Sequence, residues 1–527
     1  MKPCIRASAT LVLLLLAACS DSVPTSASLP GTTPPPPANP EPPAPAVDPC
    51  LDPDATIDPA CFVSGNAASI VRTICGAAWL PGVCNAVAFE EPDYTTDADP
   101  SPGKTLFLTI GALHEHSSYS DGDPTLIPRD YFTAGRTGFN TADDGSDRGL
   151  RLDFMISSEH SDNEALPVTT STDCIPGGGD PAAALTGLSG DILSNLLSCL
   201  HLGNLDHAFK WQATLQQAQE GSDATFTAMR GFEWTNDLYN HMNVYFSTHV
   251  VNAKIDGSYL GMNFMWSWLQ TPVDQGGGAD ALAVFNHPGG DPKLSPFDGG
   301  LPHTQLLAAL GGANWNDLAY VPEVDARVVG MEVNRGDDLS WFVKALQNGW
   351  HLGPVGAEDE HQREWSSARK PKTVMLTRGR TPQDYYWAMQ NRRTQSLQPE
   401  LLGGVPGTGD KARFPQIEFF ANGTDLQSGT PLGAILREPG AHTLHIRIAG
   451  LPVNSPVALI GREQGQAQPI ALGTADAQGA LIAQHPVTAP VSGEDWYFVV
   501  VCPVGEAECG SSENYLAVTA PIWFGPG

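Results

Sequence analysis

The chain has 527 residues, with 58 acidic against 28 basic side chains and a formal net charge of −30. That balance argues against a broad polyanion-binding surface, so long nucleic acids are not expected partners. The length admits roughly two or three domains with substantial cores.

Lys2 and Arg6 precede an apolar run at 11–18 (LVLLLLAA), too short to span a bilayer as a mature helix. The run ends in Ala17-Ala18-Cys19, small residues before a cysteine, which resembles the lipobox of bacterial lipoproteins. On this reading 1–18 is a signal peptide and Cys19 carries the lipid. Ser20 in place of an aspartate points to the outer membrane or surface of a Gram-negative cell. Residues 19–48 then form a tether: PGTTPPPPANPEPPAPAVD at 30–48 has few backbone donors and almost nothing to bury, and should extend by ~3.1 Å per residue.

Ten cysteines are present; setting aside Cys4 and Cys19 leaves eight. They fall into local pairs, Cys50 with Cys61, Cys75 with Cys84, Cys174 with Cys199, and Cys502 with Cys509. Four local disulfides are the simple expectation in an oxidising compartment, although eight cysteines allow on the order of a hundred connectivities. Residues 49–95 read as a small Cys-rich region.

From 96 to 400 one theme repeats: a short apolar, β-favouring run beside a histidine or carboxylate. The runs are 106–110 before His114, 152–156 before Glu159 and His160, 225–229 before Glu233, 243–246 after His241, 281–285 before His287, 328–333 before Asn334, and 351–355 before Asp359. Helices are expected at 128–137, 183–200, 207–219, 305–310 and 339–347, and another from Pro382 to 393 with Thr381 as N-cap. The fold class is α/β: alternating strands and helices with polar groups at the strand ends indicate a β/α barrel with its chemistry on one rim. From 401 to 527 strands at 417–420, 443–448 and 496–501 alternate with Gly, Pro, Asn and Asp turns, the pattern of a C-terminal β-sandwich.

His114-Glu115-His116 places two imidazoles on one face of an extended segment, and Asp359-Glu360-His361 does the same with a carboxylate and an imidazole. Asp121, His160, Glu233, His241 and His287 lie at or beside strand ends in the same region. Nitrogen and oxygen donors without thiolate suit Zn, Mn or Fe. By contrast His201, His207, His249, His303, His442, His445 and His485 are expected to be structural or exposed, and Trp266, Trp268, Trp341 and Trp365 to be packing residues. His351 opens the last barrel strand.

In chain order, L-H-E-H-S-S-Y-S-D-G, I-S-S-E-H-S-D, R-G-F-E-W-T with H-M-N-V-Y-F, F-N-H-P-G and G-A-E-D-E-H resemble the PHP (polymerase and histidinol phosphatase) superfamily, in particular an exported branch of uncharacterised members. The resemblance covers about residues 105 to 430. It implies a distorted seven-stranded β/α barrel holding two or three divalent metal ions. The implied ligands are His114, His116, Asp121, His160, Glu233, His241, His287, Asp359 and His361, with Glu233 bridging two metals. Glu159 stands where aspartate is commoner and is expected to act behind the ligands. The insertion at 164–224 would cover the site as a lid.

A multinuclear centre lowers the pKa of a bridging water and stabilises charge on a phosphoryl group. The leading expectation is therefore a metal-dependent phosphoesterase acting on a small organic phosphate outside the cytoplasm. Glu233, His241 and Asp359 would be central to the chemistry, and Arg335 and Arg363 are candidates for binding the phosphate. Two alternatives keep the metals: hydrolysis of another ester or an amide, and a non-catalytic surface binding lipoprotein.

Overall fold

In the computed structural model the chain divides into two units, Met1–Val47 and Asp48–Gly527. The structure describes Cys50 and residues 56–58, 61–62, 105–123, 126–138, 149–161, 210–255, 258–288, 313–334, 336–399, 414–463, 465–507, 509–510 and 514–526. The signal, Cys19, the tether, Cys75, Cys84, Cys174, Cys199, Arg335, the helices expected at 183–200 and 305–310 and most of the expected lid lie outside the described residues. No helix among the described residues is long and apolar enough to cross a membrane.

The architecture is mixed α/β with many strands and few helices. The first strands are β1 (Phe107–Ala112), β2 (Phe154–Ile156), β3 (Glu159–His160), β4 (Thr227–Met229), β5 (Gly231–Trp234) and β6 (Met242–Tyr245). There follow β7 (Leu282–Phe285), β8 (Val328–Glu332), β9 (Gly353–Val355), β10 (Lys372–Thr377) and β11 (Thr394–Leu397). Each apolar run expected from the sequence up to 355 overlaps one of them.

One sheet carries β11-β10-β1-β2-β4, with β1, β2 and β4 parallel and β10 antiparallel to β1. A second carries β9-β8-β7-β6-β5-β3, where only β6 runs against its neighbours. The two sheets share their chain: β2 passes into β3 after Ser157 and Ser158, and β4 into β5 after Arg230. At the other edge, Gly356, just past β9, exchanges hydrogen bonds with the Thr373 hydroxyl of β10 at 3.0 and 2.8 Å. That approach needs glycine, because a Cβ on Gly356 would lie 2.2 Å from the Lys372 carbonyl oxygen.

Helices cover these strands. In α1 (Pro128–Thr137) proline fills the first turn, Asp130 Oδ2 accepts the Ile127 N–H at 2.8 Å, and Gly138 at φ 67° closes the end. On its buried face Tyr131 packs edge-on against Trp365, with centroids 5.7 Å apart. The helix α2 (Lys210–Gly221) sends Lys210 Nζ to the Tyr119 carbonyl at 2.7 Å and Gln217 Nε2 to the Tyr119 hydroxyl at 2.9 Å.

No sequence signal marked α3 (Met262–Gln270), whose Gly261 N-cap makes no side-chain bond. It is nearly apolar all round and buries Met262, Phe264, Met265, Trp266, Trp268 and Leu269, each worth about 1.5–3 kcal/mol against exposure. The helices α4 (Asp338–Asn348) and α5 (Pro382–Gln390) fall on expected segments. The latter stops at Gln390, short of the expected 393, and Arg392 turns left-handed at φ 55°.

The C-terminal strands are β12 (Gln416–Ala421), β13 (Ala441–Ala449), β14 (Pro456–Glu463), β15 (Gln466–Thr474), β16 (Leu481–Thr488), β17 (Asp495–Val501), β18 (Ala517–Thr519) and β19 (Ile522–Phe524). Strands β12, β13 and β16 form a sheet of their own, and β14, β15, β17, β18 and β19 do not. Through the pairing of β18 with β11 they continue the sheet that contains β1. Ladder hydrogen bonds thus join the C-terminal strands directly to the sheet of the N-terminal strands. The β11 edge has backbone groups to satisfy, and the C-terminal strands satisfy them. Two disulfides are described, Cys50–Cys61 and Cys502–Cys509.

Candidate metal centre

The centre is built on strand ends and on the segments that leave them. After β1 the chain stays extended through His114, Glu115 and His116. The His116 N–H donates to the Glu360 carbonyl at 3.0 Å, and the Ser158 N–H to the Glu115 carbonyl at 3.3 Å. The two predicted tripeptides therefore lie side by side, bridged in parallel at Glu115 and Glu360. Alternation then sends His114 and His116 to one face, as the spacing requires.

All nine predicted metal-ligand positions are described, and they converge into three groups able to hold a metal ion. The groups are His116, Asp121, His160 and His361; His114, His116 and Asp359; and Glu233, His241 and His287. In each group one donor atom per residue lies within 4.8 Å of the others.

Glu233, buried on β5, stands between the groups. Its Oε1 lies 3.2 Å from His114 Nε2, 3.1 Å from His241 Nδ1 and 3.4 Å from His287 Nε2, and its Oε2 lies 3.2 Å from His160 Nδ1. Asp121 Oδ1 lies 3.1 Å from both His160 Nε2 and His361 Nε2. Asp359 Oδ1 is 3.4 Å from the Nε2 atoms of both His114 and His116. The His116 ring stacks on that of His361, with centroids 4.2 Å apart and planes 14° from parallel.

Residues behind the donors fix which ring nitrogen points inward. The Ser120 hydroxyl donates to Glu159 Oε2 at 2.5 Å, so it must accept from His116 Nδ1, 3.1 Å away. Glu159 also takes the Ser117 N–H at 3.1 Å and the Ser117 hydroxyl at 2.5 Å, which places it behind the ligands. Thr235 donates to the Glu233 carbonyl at 3.1 Å and so accepts from His160 Nδ1 at 2.5 Å. Asn286 Nδ2 donates to Glu233 Oε1 at 2.8 Å.

Ring charge follows from these contacts. Burial, then the neighbouring His361, holds His116 down at about 3 and hence neutral. Burial works against the protonated form of His241, but Glu233 and Asp237 outweigh it and hold the ring up at about 10. For Glu233 burial favours the neutral acid, and the His241 and His114 charges override it, holding the carboxyl well below its usual range.

The donor set fits divalent cations. His114 Nε2 and His116 Nε2 are buried, make no hydrogen bond, and face carboxylate oxygens. A buried ring nitrogen left so is costly unless something else completes it, and imidazole with carboxylate matches Zn, Mn or Fe. Backbone strain sits at the same place: among the non-glycine residues at positive φ are Asn240 (80°), His287 (32°) and Asp359 (46°).

Two further residues were missed by sequence reasoning. Glu332 ends β8, with Oε1 2.6 Å from His114 Nδ1. Asp237 places Oδ1 3.0 Å from His241 Nε2. A carboxylate closing an apolar strand, and one four residues before a candidate ligand, were the available signals. Arg363 is half-buried with its guanidinium bound to Asp123, including Nη2 to Oδ1 at 3.2 Å. His351 is placed elsewhere, between Asp325 and Glu494. Trp266, Trp268 and Trp365 are core residues, and Trp365 Nε1 donates to the His116 carbonyl at 3.1 Å.

No family model matches the chain, and no curated protein matches it. Among solved structures it is similar to a two-domain protein from Bacteroides vulgatus containing a predicted PHP-like metal-dependent phosphoesterase. The identity is 14%, the TM-score 0.33, and the match covers 83% of this chain and 98% of that one. PsfC from Pseudomonas syringae matches at 16% identity and a TM-score of 0.27, over 55% of this chain and 91% of its own.

Proposed function

We propose that this protein is an exported, metal-dependent phosphoesterase of the PHP type, acting on a small organic phosphate. The observation that carries the reading is the convergence of nine imidazoles and carboxylates into three donor groups, two of which share His116, with two buried imidazole nitrogens that make no hydrogen bond. The succession β1, β2–β3, β4–β5, β6, β7, β8, β9 fits a seven-stranded barrel closed where Glu115, past β1, bridges Glu360, past β9. We read the C-terminal sheets as its appended sandwich.

Two or three divalent cations would supply Lewis acidity toward a phosphoryl oxygen and water ionised near neutral pH. The chain's own contribution is positional. Glu233 offers an oxygen to each side of the centre, and Asp359 faces both His114 and His116. Ser120, Thr235 and Glu332 hold ring nitrogens so that the lone pairs point inward. Arg363 lies two residues past His361, close enough in sequence to meet a phosphate, although Asp123 competes for its guanidinium. Export and lipid attachment at Cys19 belong to the same reading, supported by the apolar run and the small residues before the cysteine.

The test measures metal content in the purified protein and in a His114→Ala/His116→Ala variant, beside hydrolysis of p-nitrophenyl phosphate, its bis ester and p-nitrophenyl acetate. Two or more equivalents of Zn, Mn or Fe, lost in the variant together with phosphate-ester turnover, support the proposal. Metal retention with turnover of the acetate alone supports a carboxyl esterase. Less than one equivalent after reconstitution removes the metal mechanism. Lipid labelling that disappears in Cys19→Ala tests the anchor.

A further inference from the structure

One carboxylate beside the centre has no part in the three donor groups. Asp237 lies four residues before His241, and the Tyr259 hydroxyl donates to its Oδ2. Tyr259 comes from a separate segment and carries Lys254 Nζ at 4.8 Å from its ring centroid. The turn bearing Asp237 is held by Asn236, whose Oδ1 accepts the Leu238 and Tyr239 N–H groups at 3.1 Å each. Asn236 Nδ2 donates to the Leu260 carbonyl at 2.8 Å. Trp315 Nε1 donates to the His241 carbonyl at 3.1 Å. The backbone of His241 is thus fixed independently of its side chain.

A neutral imidazole has one N–H and one lone pair, and an acceptor at one nitrogen decides which faces the other way. Glu332 and Ser120 take the Nδ1 sides of His114 and His116, so those rings face inward through Nε2. At His241 the order is reversed. Asp237 Oδ1 faces Nε2 at 3.0 Å, while Nδ1 stands 3.1 Å from Glu233 Oε1.

We infer that Asp237, held by Tyr259, is a positioning residue that fixes His241 as an Nδ1 donor in the group it forms with Glu233 and His287. The inference rests on the metal-centre reading above and adds to it a residue that touches no metal. Outer partners of this kind are typically worth roughly 10- to 100-fold in metal affinity.

The experiment titrates Zn2+ alone, in competition with a chromophoric chelator, into the metal-depleted full-length chain. His241→Ala marks the binding phase that belongs to its group. Asp237→Ala should weaken that phase by roughly 10- to 100-fold, leaving the other phases as in the wild type. Asp237→Asn, which keeps an acceptor oxygen, should recover part of the loss, and Tyr259→Phe should show a smaller loss confined to the same phase. A wild-type phase in Asp237→Ala overturns the inference. So does a loss spread over all phases with a lowered metal-free melting temperature, since that is general destabilisation. Less than one equivalent in the wild type would instead overturn the metal-centre reading on which the inference stands.

Discussion

Glu332 Oε1 stands 2.6 Å from Nδ1 of His114, and its Oε2 accepts the backbone N–H of His287 at 2.7 Å. One fully buried carboxylate at the end of β8 therefore orients a donor from the first strand and anchors the loop that carries another. Replacing it by leucine, similar in shape, leaves the His287 N–H without its acceptor and His114 free to take either tautomer. Glu332→Leu should lower the metal-free unfolding free energy by about 2 kcal/mol and the Zn affinity by roughly 10- to 100-fold. Urea melts in chelator and zinc competition measure the two effects separately; unchanged zinc affinity would contradict the role given to Glu332.

Away from the centre, His351 joins the strand region to the C-terminal sheet. Its Nδ1 lies 2.7 Å from Asp325 Oδ2 and its Nε2 3.0 Å from Glu494 Oε1, while Arg392 Nη2 donates to the Asp325 carbonyl at 2.7 Å. Burial opposes the charge on the ring, but its hydrogen bonds to Asp325 and Glu494 outweigh it and raise His351 from the ordinary 6.5 to about 9. A raised folded-state pKa contributes stability that is complete below 6.5 and lost as pH climbs through about 9. The contribution is about 3 kcal/mol at most. His351→Gln should be less stable than the wild type at pH 6, and the two should converge by about pH 10. A gap that persists at high pH would rule out the ion pairs as its source.

The start of α5 is a capping box. Thr381 accepts the Asp384 N–H at 3.2 Å, and Asp384 Oδ2 accepts the Thr381 N–H at 3.0 Å, with Pro382 in the first turn. Thr381→Ala should cost about 1 kcal/mol in a chemical melt, and Thr381→Ser should cost almost nothing. Equal losses in both variants would show that the threonine methyl, and not the hydroxyl, is what matters.

Cys502 is fully buried at the end of β17 and bonded to Cys509, seven residues on. Opening so short a loop should cost about 2–3 kcal/mol. Cys502→Ser/Cys509→Ser should therefore melt earlier than the wild type under oxidising conditions and match it more closely after reduction. Identical melting of both proteins before reduction would mean that the bond adds nothing.

The sequence by itself determined the local elements, because hydrophobic period, capping residues and turn chemistry act over a few neighbours. The box at Thr381 and the Pro128 helix start are read directly from adjacent residues, and the same holds for the apolar runs that became β1, β7 and β8. It also marked the candidate ligands, since His114 with His116 and Asp359 with His361 carry their geometry in a two-residue spacing.

Only the tertiary structure decided which of these residues meet. Glu332 is 218 residues from His114, and nothing local distinguishes it from any carboxylate that ends a strand. Asp237 is held by a tyrosine on another segment, and Arg363 is bound by Asp123 across 240 residues. The attachment of the C-terminal strands to β11 was equally hidden. It depends on unsatisfied backbone groups at one sheet edge, which every strand sequence possesses and only the assembled sheet leaves exposed.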